Sequence, residues 1–62
     1  MNNGATPLII ASEKGHVDTV RLLLEKGASI DKAKNDGTTS LMIARKKDHS
    51  EIVHLLELAS QV

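Results

Sequence analysis

Apolar residues in this chain fall into short helical stripes separated by glycine and polar punctuation. Leu8, Ile9, Ile10 and Ala11 form a first run that Gly15 closes. Val20, Leu23 and Leu24 then recur at i, i+3 and i+4, with Leu22 widening the stripe. That spacing marks one face of a helix. Thr6-Pro7 is a start signal. Thr caps the helix, and Pro takes the first helical position, where its missing N–H costs nothing. Gly15 and Gly27 are stop signals, because Gly enters the left-handed region without penalty. The pattern predicts a helix from Leu8 to about Lys14 and another from about Val17 to Lys26. Ser29 to Thr38 is a polar connection, in which Asn35-Asp36-Gly37 signals a hairpin-type turn. The plan then repeats, with a helix over Leu41–Lys47, a turn at Asp48 and a helix from Glu51 to about Leu58. Leu23 and Leu56 are expected in the core.

The second half is a copy of the first at an offset of thirty-three residues. Asn2, Gly4, Thr6, Leu8, Ile10, Ala11, Lys14, His16, Val20, Leu22 and Leu23 reappear as Asn35, Gly37, Thr39, Leu41, Ile43, Ala44, Lys47, His49, Val53, Leu55 and Leu56. A fixed period of this size is the mark of stacked repeats, each burying its apolar face on a neighbour.

Gly4-Ala5-Thr6-Pro7-Leu8, then Ala11, Gly15-His16, Val20, Leu22-Leu23-Leu24 and Gly27-Ala28, resemble the ankyrin repeat consensus. The second period is a looser copy. Ser40 replaces Pro, Asp48 replaces the inter-helix Gly, and Ser60 replaces the closing Gly. The resemblance implies an all-α solenoid fragment of two helix-turn-helix repeats joined by a β-turn finger. Repeat 1 covers residues 1–33 and repeat 2 covers 34–62. Arg45 and Glu57 stand where repeat 1 has Ser12 and Leu24. Terminal solenoid repeats need a polar outer face, so repeat 2 reads as a C-terminal cap and repeat 1 as an interior repeat.

Composition narrows the function classes. A chain of 62 residues buries only about 60% of the surface exposed by its unfolded state, so its stability is marginal. It has no Cys, Phe, Tyr or Trp, and eight basic residues balance eight acidic ones. Disulfides and thiolate metal sites are thereby excluded. A nucleic-acid partner is not expected without aromatic stacking platforms or excess positive charge. Leu22-Leu23-Leu24 is the longest apolar leucine run, far short of a bilayer span. Met1 to Ala5 carries no signal-peptide pattern, and an intracellular, cytoplasmic location is the expectation.

Catalytic chemistry finds little support. Asp48-His49-Ser50 holds the residue types of a triad, but adjacency in sequence is not triad geometry. His49 and His54 are five apart, which does not place them on one helix face as metal ligands. The glycines are spaced as turn punctuation, not as a phosphate cradle. The chain is therefore read as a non-enzyme with no cofactor and no metal. The resemblance gives His16 and His49 a structural role, bonding backbone near the inter-helix turn.

What remains is recognition of another protein. The resemblance places the finger turns and first helices on a concave face. The contact residues it implies are Asn2, Asn3, Ala5, Glu13 and Lys14 in repeat 1, and Asn35, Asp36, Thr38, Lys46 and Lys47 in repeat 2. Lys14, Lys34, Arg45, Lys46 and Lys47 would make that face mildly basic and suited to an acidic partner. The same cations also suit helix C-termini, which favour positive charge by about 0.3–1 kcal/mol each. A second class is assembly. Leu8, Ile9, Ile10, Val17, Leu22 and Leu24 are more apolar side chains than one neighbouring repeat can cover. Repeat 1 is therefore expected to stack on further repeats or to form an end-to-end homodimer through its open side.

Overall fold

The computed structural model describes residues 4–60. Four helices follow in order: α1 (Pro7–Lys14), α2 (Val17–Glu25), α3 (Ser40–Lys46) and α4 (Ser50–Ala59). No strand occurs among the described residues. Each bound lies within about two residues of the sequence expectation, which is the usual uncertainty of a helix end.

The two repeats start and stop alike. Thr6 Oγ1 accepts from the Ile9 N–H at 3.1 Å, and Thr39 Oγ1 accepts from the Met42 N–H at 3.2 Å. Each satisfies one orphan donor of its helix's first turn. At the other end Gly15 has φ 78°, and the His16 N–H donates to the Ala11 carbonyl at 3.0 Å. Asp48 reproduces this with φ 61°, while the His49 N–H donates to the Ala44 carbonyl at 2.9 Å. Both are left-handed closures of the Schellman kind. Aspartate is among the few residues with a side chain that enter this region readily.

Between α2 and α3 the chain forms the finger. The Gly37 N–H donates to the Lys34 carbonyl and the Lys34 N–H to the Thr38 carbonyl, each at 2.9 Å. Gly37 follows at φ 88°, the left-handed position of a three-residue hairpin turn.

Helix α1 packs along α3, α2 along α4, and each repeat's two helices pack on one another. The core is Leu8, Ala11, Val20, Ala44, Ile52 and Leu56, with Val17, Leu23, Leu24, Leu41, Val53 and Leu55 half-buried around it. Leu56 is a core residue as expected; Leu23 sits at the core's edge. Of the six apolar side chains of repeat 1 expected to exceed what one neighbour covers, some are buried and some are not. Leu8 and Ile9 are buried, because α1 turns them towards α3 and its own partner helix. Only Ile10, 43% exposed, and Leu22, 53% exposed, stand open.

Candidate protein-recognition surface

The helices α1 and α3 lie side by side, with their capped N-termini at the end of the molecule that carries the finger. Their C-termini carry Glu13-Lys14 and Lys46-Lys47, four exposed residues. A helix rises about 1.5 Å per residue, so finger and charged ends stand roughly 12 Å apart across the surface. The inferred contact residues thus form two clusters at opposite ends of the first helices.

At the charged end, Lys14, Lys46 and Lys47 have no ion-pair partner among the described residues. Three cations there stand beside two carboxylates, Glu13 and Asp48. Arg45 does not join them: its guanidinium is 2.7 Å from the Glu57 carboxylate, directed along the outer side of repeat 2. Arg21 pairs with Glu51 at 3.1 Å across the second helices. Lys26 and Lys32 likewise have no ion-pair partner among the described residues, but they stand away from the first-helix ends, where the other three unpaired lysines are gathered.

At the finger, several inferred residues already have work within the fold. The Asp36 carboxylate accepts from the Thr38 N–H at 2.9 Å and lies 4.0 Å from the Lys34 ammonium. Hydrogen bonding from the Thr38 hydroxyl, then from its N–H, and the charge of Lys34 hold this carboxyl below its ordinary 3.8. Asn35 lies against Gly4, where a Cβ would come within 2.6 Å of its Oδ1. Ala5 and Thr38 are half-buried; Asn35 and Asp36 are exposed. Asn2 and Asn3 lie outside the described residues.

The histidines separate. His49 Nε2 is 3.0 Å from the Glu13 carbonyl, so the nitrogen donates and ties repeat 2 to the end of α1. Its ring lies over Gly15, where a Cβ would meet Cε1 at 2.8 Å. Glycine is thus required there twice, for φ and for space. His16, its counterpart, is exposed and has no such bond among the described residues. His54 is exposed on α4. No group of three His, Cys, Asp or Glu side chains is placed to hold a metal among the described residues.

Two hollows indent the surface. One of about 240 Å³ is lined by Arg45, Asp48, Ser50 and Val53. It lies at the α3–α4 turn, the place in repeat 2 where repeat 1 seats His49. The other, about 130 Å³, lies between the finger and α4, against Ile30, Leu41 and Leu56.

The geometry of capped helix pairs, left-handed turns and a finger between the repeats agrees with the comparisons to known proteins. The sequence matches the family of ankyrin repeats, described as three copies, over residues 1–61. The chain belongs to the ankyrin repeat family, and its described residues hold two helix pairs. A crystal structure of an ankyrin repeat domain from Acinetobacter baumannii AYE is 27% identical, with a TM-score of 0.52. The match covers 94% of this chain and 49% of that one, so the chain spans about half the length of that domain. No curated protein matches the chain. Ankyrin repeats generally mediate protein–protein interaction, and the family is typically a non-enzymatic scaffold. No helix among the described residues is long and apolar enough to cross a membrane.

Sequence reasoning missed the Arg45–Glu57 pair and the dual need for Gly15. The first was announced by the paired replacements of Ser12 and Leu24 at the thirty-three-residue offset. The second had no signal in sequence beyond the repeated Gly-His and Asp-His steps.

Proposed function

We propose that this chain is a protein-binding module whose contact strip runs from the finger to the lysine-bearing ends of α1 and α3. The observation that carries this reading is the contrast among cations. Lys14, Lys46 and Lys47 are left unpaired together on one stacked edge, whereas Arg21, Lys34 and Arg45 each face a carboxylate and the other unpaired lysines, Lys26 and Lys32, stand apart from it. An acidic protein segment is the partner of matching chemistry. Glu13 and Asn35 complete the strip as polar contacts, with Asp36 and Thr38 shaping the finger. No nucleic acid, membrane or cofactor enters this reading.

A hexaglutamate peptide is a direct probe. Adding it at moderate salt should shift the backbone amide resonances of Lys14, Lys46, Lys47 and Asn35 more than those of α2 and α4. Lys46→Glu with Lys47→Glu should abolish the shifts while leaving the helical signal, since surface changes usually move stability within about 0.5 kcal/mol. Shifts spread evenly over the molecule, or unchanged in the double variant, would remove these lysines from the surface. A mixed-sequence DNA duplex that binds better than the peptide would overturn the class of partner.

A second reading is assembly through the outer side of repeat 1. It is supported by Ile10 and Leu22, two large apolar side chains open to solvent there, although Met42 and Leu58 on repeat 2 are as exposed.

A further inference from the structure

The finger holds a reactive pair whose chemistry the recognition strip does not use. Asp36 is the one aspartate followed by glycine; Asp18, Asp31 and Asp48 precede Thr19, Lys32 and His49. A backbone nitrogen that attacks the side-chain carboxyl carbon of the residue before it closes a five-membered imide. A side chain on the attacking residue obstructs that approach. Gly37 has none, and the space where its Cβ would stand is open. The Asp36 side chain is exposed. Ring closure is therefore least obstructed here among the aspartates.

The folded finger opposes the reaction at both atoms. The Gly37 N–H donates to the Lys34 carbonyl at 2.9 Å, so the nitrogen gives up its proton only by losing that bond. The Asp36 carboxylate accepts from the Thr38 N–H at 2.9 Å, which holds it in place. The Thr38 hydroxyl, then the Thr38 N–H and the charge of Lys34, keep the carboxyl below its ordinary value. The neutral form, which is the one that loses water, is correspondingly scarce in the folded chain.

We infer that Asp36-Gly37 is a latent isoaspartate site, held shut by the finger's own hydrogen bonds and released when the finger opens while the helices stay folded. Local openings of this kind need less free energy than global unfolding. In the opened finger the Gly37 nitrogen attacks Asp36 Cγ. An N–Cγ bond forms, and the carboxyl hydroxyl leaves as water with the nitrogen's proton. Water then opens the imide at one of two carbonyls. Attack at Cγ restores aspartate; attack at the Asp36 main-chain carbonyl leaves the chain routed through Cβ and Cγ. Nothing is oxidised or reduced, and the mass of the chain is unchanged. The lengthened link lies between Lys34 and Thr38, whose N–H to carbonyl bond at 2.9 Å closes the finger. Isoaspartate at 36 therefore keeps the finger from closing again and marks the chains in which it has opened. The inference is independent of the lysine strip and of assembly.

Folded parent and parent unfolded in urea, both incubated at mildly acidic pH, are compared by enzymatic isoaspartyl methylation, with the site located by fragment mass spectrometry. Mapping separates residue 36 from Asn3-Gly4, the equivalent pair of repeat 1. Isoaspartate at 36 should form at least about tenfold more slowly in the folded chain. Thr38→Val removes the hydroxyl bond and should raise the folded rate at least about threefold, with no change in urea. Ile52→Val weakens the core away from the finger and should alter the folded rate by less than about twofold. Equal rates in the folded and unfolded parent overturn the inference. So does a folded Thr38→Val that reacts no faster than the parent. A rate that follows the urea midpoint alike in both variants also overturns it, because unfolding of the whole domain is then the gate.

Discussion

Ile10 and Ile43 are the same residue at the same point of the same kind of helix, yet one is open to solvent and the other buried. Thr19 and Ile52 show the complement, a polar residue exposed in α2 where its counterpart in α4 is among the most buried side chains. The backbones agree closely at caps, turns and the histidine step. The difference between the repeats therefore lies in their neighbours, not in their local structure. Each repeat of a solenoid contacts only those beside it, so a position's energy depends on which side is occupied.

That comparison can be broken most sharply at the isoleucines. Ile43→Ala should cost about 2–5 kcal/mol, enough to unfold much of so small a domain. Ile10→Ala should stay within about 1 kcal/mol, as an exposed substitution does. Urea unfolding followed by circular dichroism measures both, and equal losses would mean that the two faces are not distinct.

Smaller effects are expected where the repeats meet. The hydroxyls of Ser12 and Ser40 are buried without a hydrogen-bond partner. A buried hydroxyl left unpaired costs about 1–3 kcal/mol. Ser12→Ala should accordingly raise stability by about 1 kcal/mol, read as a higher urea midpoint. Its counterpart Arg45 sits on the outer face in an exposed ion pair. Arg45→Ala should lose less than about 1 kcal/mol, and less still in high salt.

The finger gives the smallest effect. Asp36 has its carboxyl held below 3.8 in the folded chain. A lowered folded value means a contribution that is present above the ordinary value and lost as pH falls through the folded one. The Thr38 amide resonance should therefore titrate with a midpoint below 3.8, the ordinary value. Asp36→Asn should flatten that titration.

Much of this was legible in the sequence because caps, glycines and apolar stripes act locally. Thr6-Pro7, Gly15 and the spacing of Val20, Leu23 and Leu24 placed the first two helices. Thr39 and the recurrence of Leu41, Ile43 and Ala44 placed the third. Burial was less legible. The sequence implied that some of Leu8, Ile9, Ile10, Val17, Leu22 and Leu24 stay open but not which; Ile10 and Leu22 do, while Leu8 and Ile9 are buried, because period alone does not say which helix a side chain meets. Arg45 read as part of the basic strip and instead pairs with Glu57, which is twelve residues away and on a different helix. The inferred contact residues Glu13, Lys14, Lys46 and Lys47 do fall on one edge, because the first helices stack. Asn35 and Asp36 are partly engaged by Gly4 and Thr38, which only the folded finger reveals.

The histidine of one repeat seated over the glycine of the one before it gives the stack its direction. A double-mutant cycle on Gly15→Ala and His49→Ala, followed by urea unfolding, measures it directly. With His49 present, the added methyl meets both the left-handed backbone strain and the ring at 2.8 Å. With alanine at 49 only the strain remains. The two changes should therefore be non-additive by about 0.5–3 kcal/mol, the range found for residues in contact. Additivity within about 0.3 kcal/mol would show that the ring and the glycine do not interact, and the polarity of the stack would have no basis in this contact.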